Sequence, residues 1–185
     1  MSGKFFWLMT FLIFVLIGHL SYTLFAPRYQ VQQTFENAFG QNPESNFVVL
    51  SPEQSQALFP SEDPNLVLAV CPYDVSQGPL KISIGSFSDY WSLSIYTNTG
   101  DSFYSINDRQ ARFSNLSILL RPINEKPEDQ TTEREKALKL GQAIINAPLN
   151  KGWAVLRMRA INPISIQNVE KAAAQFSCKT QENIQ

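Results

Sequence analysis

No charged residue falls between Lys4 and Arg28. This gap constrains the chain more than any other feature. Phe5 to Ile17 read FFWLMTFLIFVLI, interrupted only by Thr10, and a weaker apolar stretch continues through Leu20 and Tyr22 to Phe25 and Ala26. At a rise of about 1.5 Å per residue this run is about 33–35 Å long as a helix, enough to cross the hydrocarbon of a bilayer. Lipid offers the backbone no hydrogen bonds, so the segment must satisfy its own and is expected to be helical. Trp7 and Tyr22 lie near its two ends, where amphipathic rings suit the interfaces.

Two other accounts of this segment compete. A cleaved signal peptide would use Lys4 as its positive start and Leu24 with Ala26 as its cleavage site. Leu24 is bulky for that position, Pro27 would follow the cut directly, and the apolar run exceeds a usual signal core. A buried core helix would carry a polar face, which is missing here. We therefore read residues 1–27 as an uncleaved transmembrane anchor. Lys4 and the amino terminus lie on one side of it; Arg28 lies on the other, and the next basic residue is Lys81. The small bias favours a cytoplasmic N-terminus and an exported C-terminal domain.

About 155 residues remain, room for one domain with a core. Charged residues make up 17% of the chain and the net charge is −1, with no basic cluster. Nucleic acid is therefore not an expected partner.

Arg28–Phe39 continues the helical pattern, with Val31, Phe35, Ala38 and Phe39 on one stripe. Ser51-Pro52-Glu53 has the form of an N-cap followed by proline at the first helical position, opening a short helix to Leu58. Residues 28–64 thus form a helical and loop connector. Strands follow. Leu66–Val70 is an apolar run ending at Cys71. Leu80, Ile82 and Ile84, then Trp91, Leu93 and Ile95, then Leu116, Ile118 and Leu120, alternate with polar residues at the period of half-buried strands. Asn98-Thr99-Gly100-Asp101 is a hairpin turn, with a return strand over Ser102–Ile106. Short connections make antiparallel pairing the natural reading. Thr132 with Glu135 resembles a capping box for a helix running to about Asn146, with Ala137, Leu140, Ile144 and Ala147 inward. Trp153–Arg159 is a last strand. Ser165 is placed to cap a final helix with the stripe Ile166, Val169, Ala173 and Phe176. This is an α+β domain built on an antiparallel sheet over 65–180, with a tail at 181–185.

The two cysteines, Cys71 and Cys178, admit one disulfide in an exported domain or two unrelated buried thiols. A bridge would pin the end of the last helix to the strand ending at Cys71. Neither lies in a C-x-x-C pair, so a thioredoxin-type role is not expected.

The chemistry is bounded mainly by what is missing. The single histidine, His19, lies inside the apolar run, so the domain has no imidazole for a serine or cysteine nucleophile or for a histidine-containing zinc site. No phosphate-loop, dinucleotide or nucleophile-elbow pattern occurs. No cofactor and no metal are expected, and the balance leans away from an enzyme. Two polar clusters remain, Cys71-Pro72-Tyr73-Asp74 and Tyr104-Ser105-Ile106-Asn107-Asp108-Arg109. Tyr73, Asp74, Asn107, Asp108 and Arg109 are the candidate ligand-binding residues, because a carboxylate, an arginine and tyrosines can hold a polar ligand. Asp108 and Arg109 can pair with each other or with Asp74. The plainer reading is a set of turns with local caps and a salt bridge.

The runs CPYDVSQGPLKI and DYWSLSIYTNTGDSFYSINDR resemble the bacterial domain of unknown function 1254 family in a short membrane-anchored form. The similarity covers roughly Asn65–Arg121, with a further strand near Trp153–Arg159 and the pair Ser177-Cys178. The resemblance implies a small β-rich, sandwich-like domain in the envelope of a bacterium, and it favours a Cys71–Cys178 bridge. It brings no activity. The resulting expectation is a single-pass inner-membrane protein with its N-terminus cytoplasmic and its domain periplasmic. Its role would be that of a non-catalytic interaction or accessory module with envelope proteins as partners. The alternative is a polar-ligand binder or carboxylate-dependent enzyme.

Overall fold

The computed structural model describes residues 3–39, 46–85, 87, 89–111, 115–123, 142–160, 163–173 and 175–180. Helix α1 spans Gly3–Phe39 without interruption, across Pro27. Its apolar residues from Phe5 to Phe25 are exposed around the whole circumference. A helix apolar on every side and covered by no other part of the protein has no stable place in water. Among the described residues it is the one helix long and apolar enough to cross a membrane, a property that signal sequences share.

Among the described residues nine strands and two further helices follow: β1 (Val48–Val49), α2 (Pro52–Leu58), β2 (Leu66–Asp74), β3 (Leu80–Ile84), β4 (Trp91–Thr97), β5 (Ser102–Asn107), β6 (Leu116–Pro122), β7 (Gln142–Ala147), β8 (Lys151–Arg159), α3 (Pro163–Ala173) and β9 (Ser177–Thr180). They form a five-stranded sheet, β1-β2-β8-β4-β5, and a four-stranded sheet, β7-β6-β3-β9. The domain is thus β-rich with flanking helices, as the alternating pattern predicts.

The period of two explains the layers. On the five-stranded sheet, directly paired residues share a face: Ala69, Leu156 and Leu93 form one row, and Cys71, Ala154 and Ile95 the next. These rows meet Ile82, Ile84, Ile118 and Leu120 of the other sheet in one buried cluster. The opposite face carries the rows Val70–Val155–Ser94 and Pro72–Trp153–Tyr96. Val70, Val155 and Trp153 are buried there too, because the end of α1 and the α2 segment cover them: Phe35, Phe39, Leu58 and Phe59 pack on this second cluster. The Phe35 ring lies 4.4 Å from that of Trp153 and 5.7 Å from that of Phe59, centroid to centroid.

The turn chemistry is as the residues imply. Ser51 caps α2 in a reciprocal capping box with Gln54, and Pro52 takes the first helical position. Gly100 occupies the β4–β5 turn at φ +88°, where a glycine has no steric penalty. A disulfide joins Cys71 to Cys178, 6.5 Å apart at Cα. Cys71 is in β2 and Cys178 in β9, so the bond crosses the core from one sheet to the other.

Several expectations are corrected. Helix is expected through Asn146, but Gln142–Ala147 is a strand, parallel to β6. The adjacent β-branched pair Ile144-Ile145 suits a strand. A parallel neighbour needs a long crossover, and the 19 residues between Pro122 and Gln142 supply its length. The capping pair Thr132 and Glu135, with Ala137 and Leu140, lies outside the described residues. Helix α3 begins at Pro163, ahead of Ser165. Val169, Ala173 and Phe176 are buried but Ile166 is exposed. Cys178 does not end a helix; it sits in β9, paired with Ile82. Within 28–64, α2 lies where Ser51-Pro52 implies and β1 pairs with β2.

A partly buried ion pair ties the α2–β2 connection to the covered face. Arg157 donates from Nε to Glu62 Oε1 at 2.8 Å, a second guanidinium nitrogen lies 2.7 Å from the same oxygen, and the Tyr96 hydroxyl accepts at 3.3 Å. Desolvation alone would lower the Arg157 pKa, but Glu62 and Tyr96 outweigh it and the group is held more firmly cationic. Glu62→Ala would leave a guanidinium with 13% exposure unpaired. The expected cost is about 2 kcal/mol, read as a lower urea midpoint; Glu62→Gln, which keeps one acceptor, should lose less.

Candidate functional site

The two predicted polar clusters lie at opposite ends of the five-stranded sheet, because β2 and β8 run antiparallel over nine paired residues. Leu66 pairs with Arg159 at one end and Asp74 with Lys151 at the other. Eight steps at about 3.3 Å each separate the ends by about 25 Å. Asp74 therefore does not pair with Arg109.

Tyr73 and Asp74 belong to a structural arrangement. The Tyr73 side chain is buried and its hydroxyl has no partner among the described residues. Burial pushes that hydroxyl's pKa well up, so it stays protonated. The ring packs against Gly152. Asp74 accepts from the Ser76 backbone N–H at 2.9 Å and lies 3.6 Å from the Lys151 ammonium. Burial raises its pKa, but the Ser76 hydrogen bonds and the Lys151 charge outweigh this and hold the carboxyl below its ordinary value. A carboxyl whose pKa is lower folded than unfolded stabilises above the unfolded value, and that contribution disappears as pH falls through the folded one. Asp74→Asn should therefore lower stability at neutral pH, with the difference from the parent protein shrinking as pH falls below about 4, measured by urea melts across pH.

Asn107, Asp108 and Arg109 follow β5 at the other end. The Asn107 side chain accepts from the Gln110 N–H at 3.0 Å, and its carbonyl accepts from the Ala111 N–H, closing the turn. Asp108 and Arg109 instead line an open cleft of about 580 Å³ with Asp63, Asn65, Leu66, Asp89, Tyr90 and Arg159. Backbone bonds hold these loops together: Asp108 N–H donates to Trp91 O, Arg159 N–H to Tyr90 O and Ala160 N–H to Asn65 O, at 2.8–3.1 Å.

Inside the cleft, Asp63 Oδ1 accepts from the backbone and side-chain nitrogens of Asn65, both at 2.9 Å. Asp89 Oδ1 accepts from the Tyr90 N–H at 2.8 Å. Asp108 Oδ1 is buried and has no hydrogen-bond partner among the described residues. Among the described residues neither Arg109 nor Arg159 has an ion-pair partner, and none of the His, Cys, Asp or Glu side chains group in threes able to hold a metal ion.

The lining residues absent from the predicted set are Asp63, Asn65, Leu66, Asp89, Tyr90 and Arg159. Each sits at or beside a strand end, a signal visible in the alternating pattern. Which strand ends meet depends on pairing order, and β8 inserts between β2 and β4.

The fold defines a class: a two-sheet β domain with a disulfide between its sheets, carried on a long apolar helix. This chain belongs to the family described as "Protein of unknown function (DUF1254)", whose model matches residues 45–180. No curated protein matches it. Among solved structures it is similar to the VPA0106 protein of Vibrio parahaemolyticus, at 12% identity and TM-score 0.61, over 82% of this chain and 34% of that one. A second similar structure, an uncharacterised protein from Burkholderia cenocepacia, has 13% identity and TM-score 0.45 over 73% of this chain and 34% of its own. The chain thus spans about a third of the length of the solved proteins it matches.

Proposed function

We propose that this protein is a single-pass bacterial inner-membrane protein with a cytoplasmic N-terminus. In this reading its periplasmic β domain is a non-catalytic interaction or accessory module. The observation that carries the reading is the continuity of α1 from the apolar run into the domain. Phe35 and Phe39 of that one helix pack in the cluster on the five-stranded sheet. A methyl of Val31 lies 3.0 Å from where a Cβ on Gly100 would be, so α1 leaves the domain past the β4–β5 turn.

Val31 is five residues beyond Ala26, about 7–8 Å along the helix. That is the depth of a headgroup layer, so the β4–β5 end rests at the membrane surface. The cleft end, about 25 Å away along the sheet, points outward, where another envelope protein can reach it. The disulfide supports an oxidising compartment.

Protease added to spheroplasts should digest the domain and leave a membrane-embedded N-terminal fragment. Crosslinking in intact cells should recover an envelope protein through residues of the outward end. A domain protected in spheroplasts, or a full-length chain released without detergent, overturns the placement; crosslinks confined to the β4–β5 end overturn the orientation. Phe35→Ala should cost about 2–3 kcal/mol in domain stability, somewhat under the fully buried value because Phe35 is partly buried, and should raise protease cutting between Pro27 and Asn46.

A further inference from the structure

We infer that the end of the sandwich from which α1 departs docks on the bilayer itself. Ile123 and Leu149 enter the boundary between headgroups and acyl chains there, and Lys81 and Lys179 meet anionic phospholipid headgroups. The docking rests on the membrane placement proposed above and adds which side chains touch lipid and which lipid class they select.

Strand pairing gathers these residues. β6 and β7 run parallel and end together, with Pro122 beside Ala147. Ile123 directly follows one strand and Leu149 lies two residues past the other, so the two adjoin at one end of the four-stranded sheet. Ile123 is 58% exposed and Leu149 43%. The domain's other exposed large apolar residues, among those described, are Val48, Tyr90 and Ile166, and each stands on a separate element. The end that Ile123 and Leu149 share is the α1 end. Leu149 belongs to the β7–β8 connection, whose Asn150 carbonyl accepts from the Val75 N–H at 2.8 Å. The next carbonyl, of Lys151, accepts at 3.1 Å from the N–H of Asn98, in the turn that carries Gly100. Val31 of α1 packs over that glycine. These bonds join connections from both sheets into one surface at the level where α1 leaves the apolar run. Interfacial apolar side chains enter the bilayer boundary by about 5–10 Å, within reach of residues on these connections.

Charge points the same way. Lys81 in β3 and Lys179 in β9 are directly paired, and both are exposed. Like charges facing each other across a ladder are destabilising, and an anionic surface relieves that repulsion. The two lysines sit one step from the Leu80–Thr180 pair that closes this end. The carboxylates of the described residues here are Asp74 and Asp101, and each is engaged within the protein. Asp74 lies against Lys151 and the Ser76 N–H, and Asp101 accepts from the Thr99 hydroxyl. Two ammonium groups beside an apolar pair match a layer of phosphates over hydrocarbon. α1 holds that layer against this end in every molecule, whereas a protein partner would have to displace it.

The test uses the full chain in bilayers of phosphatidylcholine, with and without phosphatidylglycerol. A nitroxide is placed by Leu149→Cys, Ile123→Cys, Tyr90→Cys or Phe14→Cys; the native cysteines are fully buried in their disulfide and stay unlabelled. Collision with oxygen, which concentrates in lipid, is compared with collision with a water-soluble nickel chelate. The oxygen-to-nickel ratio at Leu149 and Ile123 should exceed that at Tyr90 by roughly threefold or more, and should be higher with phosphatidylglycerol than without. Lys81→Gln with Lys179→Gln should bring the Leu149 ratio down to its phosphatidylcholine value and leave Phe14 unchanged. Because the variant removes a repulsive pair, its melting temperature should not fall. A Phe14 label that reads water overturns the anchor and the docking together. A Phe14 label in lipid with a water reading at Leu149 or Ile123 overturns the docking alone and leaves this end to a protein partner. Equal ratios in the two lipid mixtures overturn the role of the lysines.

Discussion

Reduction of the Cys71–Cys178 disulfide is expected to lower the stability of the domain by about 4–5 kcal/mol, the loop-entropy value for a long closed loop. The bond spans a sequence separation of 107 residues and joins β2 to β9 across the core. Without it the unfolded chain recovers the freedom of that loop. The four-stranded sheet also loses its covalent tie to β2, and β9 is an edge strand held by β3 alone within its sheet. Cys71 and Cys178 are fully buried, so replacement by serine adds an unpaired hydroxyl at each site, and replacement by alanine is the cleaner variant. Urea unfolding of the full chain in micelles, with and without reductant, measures the effect, and the double alanine variant should match the reduced protein. A midpoint unmoved by reduction, with complete reduction verified by mass, would refute the expectation.

Gly152→Ala is expected to be nearly as damaging, at about 3 kcal/mol or more, the upper range for overpacking a core. A Cβ built on Gly152 falls on the Tyr96 carbonyl oxygen and 2.5 Å from the Tyr73 hydroxyl. The tyrosine could swing only by leaving a buried place, and the carbonyl belongs to β4, which is paired along its length with β8. Relief therefore requires shifting a strand in the middle of the five-stranded sheet. Gly152 is free of positive φ, so the cost is steric and not conformational. Tyr73→Phe on its own removes a hydroxyl that has no partner and should be close to neutral or mildly stabilising. In combination with Gly152→Ala it should recover only a small part of the loss, because the clash with the Tyr96 backbone remains. A Gly152→Ala protein with wild-type melting behaviour would show that β8 and β4 separate more easily than their ladder implies.

Residues from Phe5 to Ala26 state by composition alone that the helix needs an apolar surrounding, because no neighbour is required to make an uncharged run of that length insoluble. The alternation in Leu80–Ile84, Trp91–Ile95 and Leu116–Leu120 states which side of each strand is buried, because side-chain direction in a strand follows from the backbone. Ser51-Pro52 and Asn98-Thr99-Gly100 state their turns through bonds made within a few residues.

Everything nonlocal was decided by tertiary structure. The sequence does not say that β8 inserts between β2 and β4, and this order sends Tyr73 and Asp74 to one end and Asp108 and Arg109 to the other. It does not distinguish a helix from a parallel strand at Gln142–Ala147, because an apolar run of that length suits either until β6 is found beside it. It allows a Cys71–Cys178 bond without requiring one, since the 6.5 Å Cα separation exists only once two sheets face each other. Local propensity is written in neighbouring residues; pairing order is a choice among many arrangements with similar local energies, and only burial of the whole core selects one.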